Sequence, residues 1–336
     1  MNTHFDRPRS LTGSQQRFLD RLAGTRLPLM AAPMFLVSGV DLVVACARAG
    51  VIGAFPAPNA RSVEILDDWL RSTVRGIGDV APGAPWVLNM IVHSTYDRFD
   101  REIELVRQYQ PPIVSTALGS PRRVLEAVHG YGGLVMADVA SPSMARKAAD
   151  AGVDALVVVV NGAGGHTGAY NPFALVAEIR AFWDGPLGLA GGISHGRDIR
   201  AAQLLGADFA VAGTAFIATP ESLASDAYRQ ALVKATLEDL VLSKSVSGVA
   251  ANWLRDTLVA AGIDPEAARK EDKRIDFSGD ISAGKRAWKD VWSAGHGVGQ
   301  VEAIKSVEDV VEALRSQYRT VLRREQQEVA ALLAAL

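Results

Sequence analysis

The sequence predicts an α/β protein, a closed (β/α)8 TIM barrel with an inserted helical subdomain, and three observations carry that prediction. Eight short β-type apolar runs recur along the chain, with amphipathic helical patterns between them. Alternation of strand and helix implies a parallel sheet, and eight units favour a closed barrel over an open sheet. After Thr214 the alternation stops, and a mostly helical, charged stretch intervenes before a last amphipathic helix. The barrel is expected over residues 1–219 and 286–336, the helical subdomain over 220–285.

In chain order the β-type runs are LPLMA (27–31), VIGAF (51–55), WVLNMIV (86–92), PIVST (112–116), LVMAD (134–138), ALVVVV (155–160), LGLAG (187–191) and FAVAG (209–213). Helical patterns lie between them, among them SVEILDDWLRSTV (62–74), SPRRVLEAVH (120–129), SPSMARKAADAG (141–152), PFALVAEIRAFW (172–183) and GRDIRAAQLLGA (196–207). Each sets polar residues opposite an apolar stripe. Small-residue–Asp pairs before strands, as in AGVDA and LGADF, mark repeated helix ends. A glycine loop, WSAGHGVGQ (292–300), precedes SVEDVVEALRSQY (306–318), a helix that can finish the barrel wall. The tail RREQQEVAALLAAL (323–336) extends that helix or packs on a second subunit, so a homo-oligomer stays open.

Composition narrows the function classes. At 336 residues the chain can bury a substantial core. No charge-free apolar run reaches the ~20 residues needed to span a bilayer. The first 22 residues are broken by Asp6, Arg7, Arg17 and Asp20, unlike a secretory signal, so a cytoplasmic location is expected. A net charge of −2 with scattered Lys and Arg leaves no basic footprint for nucleic acid. Cys46, the one cysteine, sits in the apolar helical pattern VDLVVACARAG and reads as a small buried residue. Zinc-type Cys/His spacing and HExxH are both lacking, so no metal is expected.

The chemistry is expected at the strand ends that carry the active-site loops of such barrels. The segment ALVVVVNGAGGHTG (155–168) ends a buried strand in glycines and a histidine. Gly164 and Gly165 let backbone approach a ligand, and His166 supplies a group that exchanges a proton or offers charge near neutral pH. Gly191 and Gly192 follow the seventh run, Gly213 and Thr214 the eighth, where barrels commonly bind phosphate. Asn89 and Asp138 sit at strand ends on the same face, and a polar cofactor ring would satisfy them. His93 and His296 can both reach the barrel mouth as substrate-side residues. His4 lies in the tail, His129 suits a helix C-terminus, and His195 begins a helix.

A rival motif competes locally. Gly192, Ile193, Ser194, His195 and Gly196 match GxSxG between a strand and a helix, a hydrolase nucleophile elbow with Ser194 as nucleophile. It does not account for eight regular units and a second glycine loop. The run GAGGHTG misses the dinucleotide GxGxxG register, and no P-loop is present.

LPLMAAPM, LNM around Asn89, AGGHTG around His166, LAGGIS, VAGTAFIAT and WSAGHGVG together resemble the nitronate monooxygenase family, formerly 2-nitropropane dioxygenases. The similarity runs from about Leu27 to Tyr318. It implies an FMN-binding barrel with an added helical domain, a small-molecule nitronate as substrate and O2 as co-substrate. By that resemblance Ala32, Pro33 and Met34 lie against the isoalloxazine ring, Asn89 contacts the flavin, and Gly164 and Gly165 pass close to it. Gly191, Gly192, Gly213 and Thr214 bind its phosphate, and His166 is the catalytic residue. The products implied are a carbonyl compound and nitrite. Relatives with the same barrel and histidine include enoyl-acyl carrier protein reductase II and NAD(P)H:quinone reductases, in which a nicotinamide reduces the flavin.

Overall fold

The computed structural model describes residues 8–270 and 290–335; His4 and positions 271–289 of the expected insert and its junction lie outside them. All eight expected runs are strands. Six come first: β1 (Leu29–Ala31), β2 (Gly53–Pro56), β3 (Trp86–Ile91), β4 (Ile113–Ala117), β5 (Leu134–Val139) and β6 (Ala155–Val159). A two-residue strand, β7 (Gly165–His166), belongs to a separate sheet, and β8 (Leu187–Ala190) and β9 (Phe209–Ala212) complete the set. The parallel order is β1-β9-β8-β6-β5-β4-β3-β2. The ring closes where Met30 pairs with Ile52 and Ala31 N–H donates to Ile52 O at 2.8 Å.

The strands are apolar without alternation because both faces are buried. Met30, Ile52, Val87, Ile113, Met136, Val157 and Val211 point into the barrel as one cluster. Leu29, Phe55, Leu88, Val114, Val135 and Leu156 pack outward against the helices. A helix that the strand–helix alternation does not announce, α1 (Gly13–Ala23), plugs the floor of the barrel with Phe18 and Leu22. Its start is fixed by a Thr12–Gln15 capping box, and Phe18 meets Phe209 at 5.5 Å between ring centroids. Counting two residues beyond the inward set gives Ala32, Ala54, Asn89, Ser115, Asp138, Val159 and Gly213. The topmost inward layer is therefore partly polar.

The barrel helices are α2 (Val40–Ala49), α3 (Val63–Val80), α4 (Phe99–Tyr109), α5 (Arg122–Gly130), α6 (Pro142–Ala151), α7 (Pro172–Arg180) and α8 (Gly196–Leu205). The Asp that ends each small-residue–Asp pair has a specific use. Asp154 Oδ2 accepts Val135 N–H at 2.7 Å and meets His129 Nε2 at 2.8 Å. Asp208 Oδ2 accepts Leu187 N–H and an Arg180 guanidinium N–H, each at 2.8 Å. Both carboxylates thus pin the start of a neighbouring strand to the preceding helix, at the end of the barrel away from the rim. His129 is part of that device.

After the short helix α9 (Thr214–Ile217) the chain leaves the barrel. The expectation of a mostly helical insert needs correction: besides α10 (Asp226–Lys234) it holds a β-hairpin, β10 (Leu240–Ser243) and β11 (Ala251–Leu254). Helices α11 (Arg255–Ala260) and α12 (Pro265–Lys270) follow. The strand residues LVLS and ANWL are short and mostly apolar on both sides of a Ser/Gly turn, a pattern overshadowed by the charged helical stretch beyond it. Trp253 is fully buried and packs with Val241, Leu258 and Val291. The last helix, α13 (Val307–Ala335), packs between α8 and α2 and finishes the wall as expected.

Candidate active site

One cavity of about 450 Å³ opens at the C-terminal ends of the strands. The loop after β1 contributes Ala32, Pro33 and Met34 to its wall. Asn59, buried in the turn after β2, holds that loop by three bonds: its Nδ2 donates to Met34 O (2.9 Å) and Ser38 O (2.7 Å), and its Oδ1 accepts Leu36 N–H (2.8 Å). Leu36 is left-handed at φ 60°, a conformation that such over-determination sustains. No sequence motif singles out Asn59.

His166 occupies β7, which pairs antiparallel with β11 through Ala251, so the insert fixes the backbone that presents it. It lines the cavity, and its side chain is exposed. Desolvation lowers its pKa from the ordinary value, so the neutral imidazole prevails at pH 7. Gly164 is packed backbone against backbone: a Cβ there would lie 2.8 Å from Gly295 N. That contact ties the 162–165 loop to the 292–300 loop.

The cavity floor is a polar row on three adjacent strands. Asn89 Nδ2 donates to Ser115 Oγ at 2.8 Å and lies 3.5 Å from Asp138 Oδ2. Burial raises the Asp138 pKa to about 7. Ser115, wholly buried beneath, is a prop that strand periodicity would reveal once the register is known.

The opposite side gathers three loop segments. Gly191 and Gly192 after β8, and Gly213 and Thr214 after β9, line the cavity beside Gly295 and Gly297. Thr214 Oγ1 accepts Gly295 N–H at 2.8 Å. Ser194 Oγ is buried and finds no hydrogen-bond partner, an expense that a ligand acceptor or donor would relieve. Among the described residues no Lys or Arg lines the cavity, so an anion here would be held by backbone N–H groups and hydroxyls.

Two expectations fail. His93 does not line the cavity: its Nδ1 lies 2.8 Å from Thr95 Oγ1, and the Arg123 guanidinium donates to its carbonyl. Neither does the His296 ring; the His296 backbone N–H donates to Gly162 O at 2.9 Å, and the side chain lies exposed over the Gly162 backbone. Sequence proximity to the rim does not fix which way a loop side chain turns. The hydrolase reading fails as well, since no base contacts Ser194 Oγ and His195 Nδ1 accepts Arg197 N–H to cap α8. Tyr228 and Trp292, stacked at 5.0 Å, add an aromatic wall from the insert side that no motif announced.

A closed parallel barrel enclosing one rim cavity, with a neutral histidine above and a buried carboxyl below, is the build of a small-molecule enzyme. The sequence pattern of the family described as nitronate monooxygenase matches residues 81–317. A nitronate monooxygenase of Pseudomonas aeruginosa is 30% identical over 295 residues, covering 73% of this chain and 82% of that protein. A Mycobacterium tuberculosis (3aS,4S,5R,7aS)-5-hydroxy-7a-methyl-1-oxo-octahydro-1H-indene-4-carboxyl-CoA dehydrogenase is 30% identical, covering 72% of this chain and 66% of that one. The structure of FabK from Thermotoga maritima superposes with TM-score 0.77 at 24% identity, over 93% of this chain and 98% of that one. The chain belongs to the nitronate monooxygenase family, and it is an oxidoreductase.

Proposed function

We propose that the cavity holds FMN and that the protein oxidises alkyl nitronates with O2 to a carbonyl compound and nitrite. The observation that carries this reading is the arrangement of the cavity itself: a glycine-lined end with an unpaired buried hydroxyl, Ser194 Oγ, and a histidine facing the same space. Those residues fit a phosphate-bearing cofactor. Gly191, Gly192, Ser194, Gly213 and Thr214 would hold the phosphate, with Ala32, Pro33, Met34, Asn89, Asp138, Gly164 and Gly165 around the ring. FMN, when bound, supplies the electron acceptor that passes electrons on to O2.

The chain's own residues do the rest. Neutral His166 takes the α-proton of a nitroalkane at a ring nitrogen, and the resulting imidazolium holds the nitronate's negative charge. The Tyr228–Trp292 wall and the loop clamped by Asn59 exclude water from the remaining sides. Among the described residues no helix is long and apolar enough to cross a membrane.

A second reading is reduction of the bound flavin by NAD(P)H, the activity implied by the resemblance to quinone and enoyl-acyl carrier protein reductases. Anaerobic mixing separates the two. The yellow protein is expected to bleach rapidly with ethyl nitronate and to stay coloured with NADH or NADPH; bleaching by the nicotinamide alone would replace the first reading with the second.

A further inference from the structure

Asp138 is the one carboxyl among the described cavity-lining residues, and the oxidation itself gives it no proton to move. It stands on β5 between uncharged neighbours. Ser115 and Thr116 occupy β4, Asn89 reaches across from β3 to 3.5 Å, and Val157 pairs opposite on β6. The other titratable groups lining the cavity are His166 on the insert side and Tyr228, whose O–H donates to Ser293 O and whose pKa is pushed up to about 12. No Lys or Arg among the described lining residues compensates a charge on Asp138.

An ionised carboxylate in that position is hydrated only from the cavity. Whatever fills the cavity removes that water, which disfavours the charged form further. Asn89 offers one amide N–H at a long 3.5 Å, its other N–H going to Ser115, too little to replace the lost hydration. We propose that Asp138 receives FMN as a neutral acid, donating its O–H to an acceptor of the ring system, and that it takes up a proton from solvent when the cofactor binds. The inference rests on the FMN reading above. The step is a proton addition alone: carboxylate and H⁺ give carboxylic acid, and no electrons move. With burial pushing its pKa up to about 7 before binding, part of the molecules carry the proton already at neutral pH.

The test is a proton count. Apoprotein is titrated with FMN by calorimetry at pH 7.0 in HEPES and in Tris, whose different ionisation heats report protons exchanged. Wild type is expected to take up a measurable fraction of a proton more than Asp138→Asn, because the flavin phosphate contributes equally to both. Equal counts would overturn the role of Asp138 while leaving FMN binding intact. If wild type binds no FMN, the functional reading fails and takes this inference with it. A variant-free check guards against a folding defect in Asp138→Asn. Above pH 7 the wild-type Kd for FMN should rise toward tenfold per pH unit, since the second phosphate pKa near 6 is already passed. His166, lowered from its ordinary value, and Tyr228, raised, do not titrate in that window. A flat Kd between pH 7 and 8.5 would refute the proton uptake.

Discussion

His166→Ala should keep its FMN and lose about 10²- to 10⁴-fold in kcat/KM for nitroethane, the range that a positioned proton acceptor supplies. Cofactor retention follows from geometry, because the loops after β8 and β9 proposed to hold the phosphate are separate from the histidine ring. The local backbone should survive too, since β7 is held by its pairing with Ala251 and Asn252 and not by the side chain. The loss should be smaller with preformed ethyl nitronate, which has already shed its α-proton. pH adds a sign. His166 acts as a base only when neutral and its pKa is lowered, so wild-type kcat/KM for nitroethane falls as pH drops through that lowered value, below the ordinary 6.5. The variant should lack that limb. Full activity in His166→Ala, or the same acid limb in both proteins, would remove His166 from the chemistry.

Gly191→Val should release FMN while the barrel stays folded, with affinity falling on the order of 100-fold or more. Gly191 sits at φ 139°, a backbone region that costs a branched residue about 1–3 kcal/mol. A Cβ there would also lie 2.6 Å from Val160 Cγ2, inside any tolerable contact. Relief requires the 191–194 turn to move, which carries its N–H groups and the Ser194 hydroxyl away from the anion. Ser194→Ala is the milder control. It deletes one hydrogen bond to a charged group, worth about 1.5–3 kcal/mol, and leaves the turn in place, so roughly 10- to 100-fold is expected. Fluorescence titration of the apoproteins reads all three affinities. Should Gly191→Val bind FMN as tightly as wild type, the phosphate lies elsewhere.

Much of this arrangement is legible in the chain because the barrel repeats one simple device. Each strand is a short apolar run, and Asp154 and Asp208 announce strand starts by the bonds they make to Val135 and Leu187. The strand-end glycines, His166, Asn89 and Asp138 fall on one rim for the same reason: parallel strands put all their C-terminal ends together. What escaped depends on contacts far apart in sequence. Asn59 reaches back over more than twenty positions to clamp the loop at Met34, and Tyr228 meets Trp292 across the insert. The β10–β11 hairpin was hidden because its partner, β7, is two residues long. His93 and His296 sit near the rim in sequence but turn toward Thr95 and Gly162. Loop direction is set by packing, and periodicity is silent on it.

The central claim is that one cavity grips a flavin phosphate at the β8 and β9 loops while His166 faces the ring. A crystal structure of the protein with FMN tests it most directly. The phosphate oxygens are expected about 2.7–3.1 Å from backbone N–H groups in the 191–194 and 213–214 turns and from Ser194 Oγ, with the His166 imidazole over the ring. A phosphate bound away from both turns, or a ring beyond the reach of His166, would contradict it.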